Sequence, residues 1–322
     1  MTGPQTPPAP DAAWVLGFDV GGTKTAAIAG SLTGQVLDRA VFASRPERGF
    51  APMWDDIVAA GRRLIAARGQ PVAVGVSIGG PLDSARGIIY SPPNLPGWDA
   101  IPLKDRLLEA FGVPAYVEHD AKACALAEWL FGAARGRTQV VFLTFGTGLG
   151  AGLILDGRLY RGATDHAGEV GHWRIAADGP LVYGKRGSWE GYSSGAGLAA
   201  LAAYQYPDAF PPDVTAADII TQARAGDERA RELITLSATA LGQGIALLID
   251  LLNPQVVVLG SLAVRAGDLY LPIARQVAAA EAGPEAFQAC AIVPAALGDQ
   301  LGDVAALCAA LYHGQIGPGV GA

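Results

Sequence analysis

Residues 14–29, WVLGFDVGGTKTAAIA, set the tight turn Asp19-Val20-Gly21-Gly22-Thr23 between two β-prone runs. This pattern predicts a strand, a glycine turn and a returning strand. Gly21 and Gly22 can adopt positive φ and let a bulky anion approach the backbone, while Thr23, Lys24 and Thr25 offer hydroxyl, ammonium and amide donors. Such a turn can cradle phosphates. It is not a P-loop, which needs G-x-x-x-x-G-K-[ST] opening a helix, because Lys24 follows the glycines almost at once and leads into β-branched and alanine residues. Taken alone, the segment also suits an ordinary Gly-Gly hairpin.

The arrangement recurs. Residues 140–155, VVFLTFGTGLGAGLIL, carry an apolar run, the turn Gly146-Thr147-Gly148-Leu149-Gly150 and a second apolar run. Two such units suggest related halves closing on one nucleotide. Between them, in VEHDAKACALAEWL at 117–130, a short apolar strand ends at Asp120 and an alanine-rich helix begins. Asp120 suits a helix N-cap, and a carboxylate kept ionised by a helix N-terminus also suits a group that accepts the proton of a hydroxyl. With GFDVGGTKT at 17–25, SPPNLPGW at 91–98, EHDAKACALAE at 118–128, TFGTGLGAG at 144–152, AGEVGH at 167–172 and LLNPQVVVLG at 251–260, the chain resembles the ROK family (repressors, open reading frames and sugar kinases) of the actin-like ATPase superfamily.

That resemblance implies an α/β protein with a two-lobed, duplicated ribonuclease-H-like fold and glucokinase-like chemistry. ATP would phosphorylate a hexose hydroxyl, glucose being the first choice and N-acetylmannosamine or fructose the alternatives. Asp120 would be the catalytic base. Gly80, Asn94, His119, Glu169, His172 and Glu190 would join Asp120 around the sugar. Asp19, Gly21, Gly22, Thr23, Lys24, Gly146, Thr147, Gly148 and Gly260 would hold the nucleotide, with Asp19 placing Mg²⁺ through water. Lobe closure would exclude water. The expected division is a tail at 1–13, a small domain at 14–116 plus 299–322 and a large domain at 117–298. The resemblance also implies a cytoplasmic homodimer.

Departures from the family pattern are informative. His119 stands where the family usually has Asn; a neutral imidazole contacting the sugar would make activity fall on the acid side. Lys122 replaces another common Asn and reads as a solvated helix residue. Many relatives place three cysteines of a C-x-C-G-x-x-G-C-x-E segment on a structural zinc, but here those positions are Leu181, Tyr183 and Ser188. We therefore expect no zinc, with packing of Leu181, Tyr183 and Trp189 holding the segment. The turn Gly260-Ser261-Leu262 replaces a common Gly-Gly-Gly near the adenosine. The family's repressors carry a DNA-binding helix-turn-helix before the first turn, whereas 13 residues precede Trp14. A sugar-sensing regulator or a pseudokinase is the alternative reading, and the intact Asp19, Asp120 and Gly146-Thr147-Gly148 oppose a pseudokinase.

Composition agrees. At 322 residues, 51% hydrophobic and 16% charged, the chain has material for two cores. A net charge of −7 without a basic cluster argues against a nucleic-acid or anionic-membrane partner. The apolar run at 140–155 is 16 residues with interleaved glycine and threonine, too short for a span. Cys124, Cys290 and Cys308 lack metal or disulfide spacing and read as reduced, buried thiols. Helices are predicted at 53–67, 101–111, 215–224, 228–252 and 301–312. Strands are predicted at 36–43, 72–78 and 256–259, with a polar hairpin loop at 83–87 and a loose tail at 314–322.

Overall fold

The computed structural model describes residues 13–317. All but Ala13 of the expected N-terminal tail, and residues 318–322 of the C-terminal one, lie outside the described residues. The chain forms two compact units, Met1–Ala123 with Gln300–Ala322, and Cys124–Asp299.

The first unit opens with β1 (Trp14–Val20), β2 (Lys24–Ser31) and β3 (Val36–Ala43), followed by α1 (Phe50–Arg68) and β4 (Ala73–Ile78). Three short strands, β5 (Leu82–Asp83), β6 (Ile88–Ile89) and β7 (Ile101–Pro102), precede α2 (Leu103–Phe111), β8 (Ala115–His119) and the start of α3 (Asp120–Phe131). Its main sheet has the order β3-β2-β1-β4-β8. β1 and β2 run antiparallel, whereas β1–β4 and β4–β8 are parallel.

The second unit repeats this plan. It contains β9 (Val140–Leu143), β10 (Ala151–Leu155), β11 (Arg158–Tyr160), β12 (Leu181–Val182), β13 (Lys185–Arg186), α4 (Trp189–Tyr192), α5 (Gly195–Gln205), α6 (Ala216–Ala225) and α7 (Glu228–Leu252). β14 (Val256–Leu259), α8 (Ser261–Glu281), α9 (Pro284–Ala289) and β15 (Ala291–Pro294) complete it. The order β11-β10-β9-β14-β15 has antiparallel pairs on one side of β9 and parallel pairs on the other, the same pattern as in the first unit. The fold is therefore the expected duplicated α/β architecture.

The final helix α10 (Leu301–His313) returns to the first unit, as expected. It lies directly on the sheet because the strands present glycines there. A Cβ at Gly75 would come 2.2 Å from the Ala306 carbonyl oxygen, and one at Gly30 would come 2.1 Å from Leu307 Cδ1. Residues Val304 to Leu311 of this helix are all buried.

Several expected boundaries move. The units part after Ala123, not after residue 116, because β8 pairs along its length with β4 and belongs to the first sheet. Residues 101–102 join a small sheet, so α2 begins at Leu103. Gly260-Ser261-Leu262 is not a turn: Gly260 is the N-cap of α8, a helix that Pro272 and a kink at Ala266 hide from periodicity. α7 matches its expected bounds and stops at Asn253, whose φ of 45° suits the left-handed cap before Pro254. It is long and apolar enough to cross a membrane, yet 67% of its apolar window is buried, as in a core helix. It is interior on one side only, since Leu247 and Leu251 are exposed. Of the cysteines, Cys308 is buried, while Cys124 and Cys290 are partly exposed.

One buried carboxylate fastens the second unit where the chain enters and leaves it. Glu128 in α3 is fully buried and accepts hydrogen bonds from the backbone N–H of Ala133 (2.7 Å), Ala296 (3.1 Å) and Leu297 (2.9 Å). Removing it would leave three donors without their acceptor. We expect Glu128→Ala to destabilise the protein by ~3 kcal/mol or more in chemical denaturation, and Glu128→Gln by less, because the amide keeps one acceptor oxygen. A Glu128→Ala change within about 0.5 kcal/mol of wild type would contradict this role.

Candidate active site

The first glycine turn is built so that its carbonyls face protein donors. Ser44 donates through its hydroxyl to the Gly21 carbonyl (2.5 Å) and through its backbone N–H to the Thr23 carbonyl (3.1 Å). Its hydroxyl also lies 2.9 Å from that of Thr25. Thr25 is thereby buried and spent internally, unlike the donor role expected for it, whereas Thr23 and Lys24 remain exposed. Neither Gly21 nor Gly22 adopts positive φ. Their glycine identity serves close approach instead: a Cβ on Gly22 would lie 2.9 Å from both Cβ and the carbonyl oxygen of Asn94. The turn therefore rests against the residue read as a hydroxyl ligand. Asn94 is exposed beside the buried Trp98, which packs edge-on to Phe50 at 4.9 Å.

Asp19 ends this strand in a crowded electrostatic setting. Burial, then the negative charges of Asp303 and Asp120, raise its pKa from 3.8 to about 6, while Lys24 and Arg39 pull the other way. α10 brings Asp303 here; the space beside Asp19 is so narrow that a Cβ on Gly302 would lie 2.5 Å from Asp19 Oδ2. Asp303 pairs with Arg39 at 2.6 Å, yet burial still leaves its own pKa raised. Burial leads the Asp19 shift, and the two neighbouring carboxylates add to it against the pull of Lys24 and Arg39.

At the end of β8, Asp120 is the first residue of α3 rather than a residue before it. The Ala121 N–H donates to Asp120 Oδ1 (2.6 Å) and also to His119 Nδ1 (3.3 Å). His119 Nδ1 also lies 3.1 Å from Asp120 Oδ1, so this nitrogen faces the Asp120 carboxylate and the Ala121 amide, and Nε2 is the ring nitrogen left over. The imidazole lies against Gly80, where a Cβ would come within 2.8 Å of Cδ2 and 3.1 Å of Nε2. Asp120 is half exposed, but Lys122, expected in solvent, is buried.

The second unit treats its glycine turn similarly. The first amides of α5 hold the turn's carbonyls: Gly195 N–H donates to Gly146 O (2.6 Å) and Ala196 N–H to Thr147 O (3.0 Å). A cavity of about 600 Å³ opens beside Gly146 and Thr147, walled by Ser261, Leu262, Thr221 and Arg224. Arg224 is fixed by Asp268 at 2.6 Å. The α6 wall carried no sequence signal, since its members are spaced as ordinary helix residues. Gly260 sits behind the cavity, not in it: its N–H donates to Leu143 O (2.8 Å), and a Cβ would fall 2.0 Å from Thr144 O.

Three residues read as sugar ligands come together in this unit. Glu190, on α4 behind the N-cap Ser188, accepts the Leu149 N–H at Oε2 (2.7 Å), joining the glycine turn. A Cβ on Gly148 would lie 2.8 Å from that same oxygen. Glu169 and His172 are both half exposed, with His172 Nε2 4.0 Å from Glu169 Oε2. Lys185 donates to the His172 carbonyl. The loop's expected packing is only partly realised. Trp189 is buried and stacked on Trp173 at 5.6 Å, but Leu181 is 66% exposed and packs on no core. Tyr183 stacks on His172 instead, with ring centroids 3.7 Å apart.

Comparison with known proteins accords with this geometry. The chain is 30% identical over 305 residues to a glucokinase of Halalkalibacterium halodurans, covering 90% of this chain and 92% of that one. A ROK hexokinase structure from Thermus thermophilus matches with a TM-score of 0.81 and 33% identity over 92% of this chain and 97% of that one. A ROK family glucokinase from Streptomyces griseus, in complex with glucose and AMPPNP, matches with a TM-score of 0.75 and 33% identity over 92% and 98%. Xylose repressors are also relatives, over a smaller part of this chain. The ROK family model spans residues 15–313, and the chain belongs to the ROK family.

Proposed function

We propose that the protein transfers the γ-phosphoryl group of ATP to a hydroxyl of a hexose, glucose being the first choice. The observation that carries this reading is made separately in each unit. A glycine turn whose carbonyls are tied to protein donors lies against a side chain suited to hydroxyls: Gly22 against Asn94 in one, Gly148 and Leu149 against Glu190 in the other. The turns suit phosphates because carbonyls already engaged by protein donors do not repel an anion as free ones would. Glucokinases among the relatives, and the Streptomyces griseus relative solved with glucose and AMPPNP, support the choice of sugar and nucleotide.

In this reading Asp120 accepts the proton of the attacking hydroxyl. The Ala121 amide holds one of its oxygens while the side chain stays half exposed, which orients the carboxylate without removing it from reach. His119 presents Nε2 as the ring nitrogen left to meet a hydroxyl, and Glu169 and Glu190 accept from paired hydroxyls. The cavity beside Gly146 takes the nucleoside. Magnesium, held through Asp19 and a hydration water, would supply charge neutralisation for the phosphates. The carboxylates of Asp303 and Asp120 close to Asp19 support that assignment. Lacking thiolates at 181, 183 and 188, the loop carries no zinc in this reading. A sugar-sensing regulator is the alternative.

Two measurements follow. Asp120→Asn keeps size and much of the capping capacity but loses the base, so sugar binding by calorimetry should persist while kcat falls roughly 10²-fold or more. Unchanged kcat would remove Asp120 from the chemistry. The second concerns Asp19, whose folded-state pKa of about 6 lies above its unfolded value of 3.8. The folded state then binds this proton more tightly, so the stability linked to Asp19 is greatest below about pH 4 and declines as pH rises through 6. Asp19→Asn should therefore raise the unfolding temperature of the ligand-free protein at pH 8 while lowering kcat/KM for ATP. A lower unfolding temperature at that pH would show that the ionised carboxylate is stabilising.

A further inference from the structure

The hairpin of β12 and β13 turns through Tyr183 and Gly184, both at positive φ, 55° and 67°. Two-residue hairpins of this kind favour Asn or Gly at both places, because a side chain there strains the backbone. Gly184 suits its position. Tyr183 does not, and the fold keeps an aromatic residue where its conformation is unfavourable.

Its contacts show what that ring does. It stacks on His172 at 3.7 Å with planes 17° apart, and its hydroxyl lies beside the Glu190 carboxylate. Partial burial, then the neighbouring Glu190 carboxylate and the charge of Glu169, hold the phenol above its ordinary pKa, so it remains a donor at any physiological pH. Glu190 is in turn fastened at Oε2 to the Leu149 amide. One side chain thus reaches two of the three residues assigned to the sugar in this unit. His172 itself is half exposed and would rotate without a partner for its ring face.

We propose that Tyr183 is a positioning residue for hexose binding: its ring fixes the plane of His172, and its hydroxyl fixes the Glu190 carboxylate before the sugar arrives. The proposal rests on the reading of His172 and Glu190 as sugar ligands. The same preorganisation, supplied by a side chain, lets the loop keep its shape without a metal.

Steady-state kinetics with sugar and ATP varied separately test this on wild type, Tyr183→Asn, Tyr183→Phe and Glu190→Gln, alongside thermal unfolding and zinc analysis. Asn suits the left-handed turn, so Tyr183→Asn should unfold at or above the wild-type temperature. Its sugar KM should nevertheless rise roughly tenfold or more while ATP KM stays within about twofold, because the hydroxyl beside Glu190 and the stack are both lost. Tyr183→Phe keeps the stack and should fall between Tyr183→Asn and wild type. If both Tyr183 variants keep the wild-type sugar KM while Glu190→Gln raises it, the positioning role is overturned alone. If Glu190→Gln also leaves sugar KM unchanged, the assignment of sugar ligands falls and the proposal with it. Destabilised Tyr183→Asn together with wild-type kinetics in Tyr183→Phe would reduce Tyr183 to packing. One tightly held zinc per wild-type chain would also overturn the proposal, by giving the loop another support.

Discussion

A carboxylate kept where its charge is unwelcome organises the first unit. Asp19 is placed by the last residues of β1, and its neighbours come from several parts of the chain: Lys24 from β2, Arg39 from β3, Asp120 from the start of α3 and Asp303 from α10. Asp303 reaches Asp19 because α10 lies directly on the sheet, which Gly30 and Gly75 allow. The cost of an under-compensated carboxylate is tolerable in a site built to receive a cation and phosphates, and it would be hard to explain in a core built only for stability. Packing geometry and site electrostatics are therefore one feature here.

The second unit has the same strand plan but turns it to a different purpose. Both glycine turns have their carbonyls tied down, by Ser44 in one case and by the first amides of α5 in the other. Beyond the turns the units diverge. The first supplies Asp120 and a His119 whose Nδ1 is held beside it; the second supplies two carboxylates, an imidazole and a cavity of about 600 Å³. The shared strand plan gives each unit a glycine turn with tied carbonyls, and the segments beyond it place different polar groups in each unit.

Local features of the fold were legible from sequence, and non-local ones were not. The glycine turns are flanked by β-prone runs, and α7 begins after Asp227 and ends at Asn253-Pro254, so short-range chemistry marks all three. α8 escaped because Gly267 and Pro272 interrupt its pattern, and β12 and β13 because two residues each carry no periodicity. Asp120 stood out at a strand end before a run of helix formers. By contrast, Gly21 and Gly22 were read as conformationally special when their neighbours, not their φ angles, require glycine. Leu181 was expected to pack because it is apolar, yet it lies on a hairpin with no core beneath it. The stack of Tyr183 on His172 and the grip of Glu128 on Ala296 and Leu297 depend on residues distant in the chain, which a linear reading does not bring together.

The most direct test of the account is phosphoryl transfer itself: ADP production from ATP by the wild-type protein, measured alone and with each of a panel of hexoses. We predict that at least one hexose, glucose first, stimulates ADP production far above the sugar-free rate and is recovered as its phosphate. Tight binding of a hexose with no ADP formed from any member of the panel would contradict the account and leave a sugar sensor in its place.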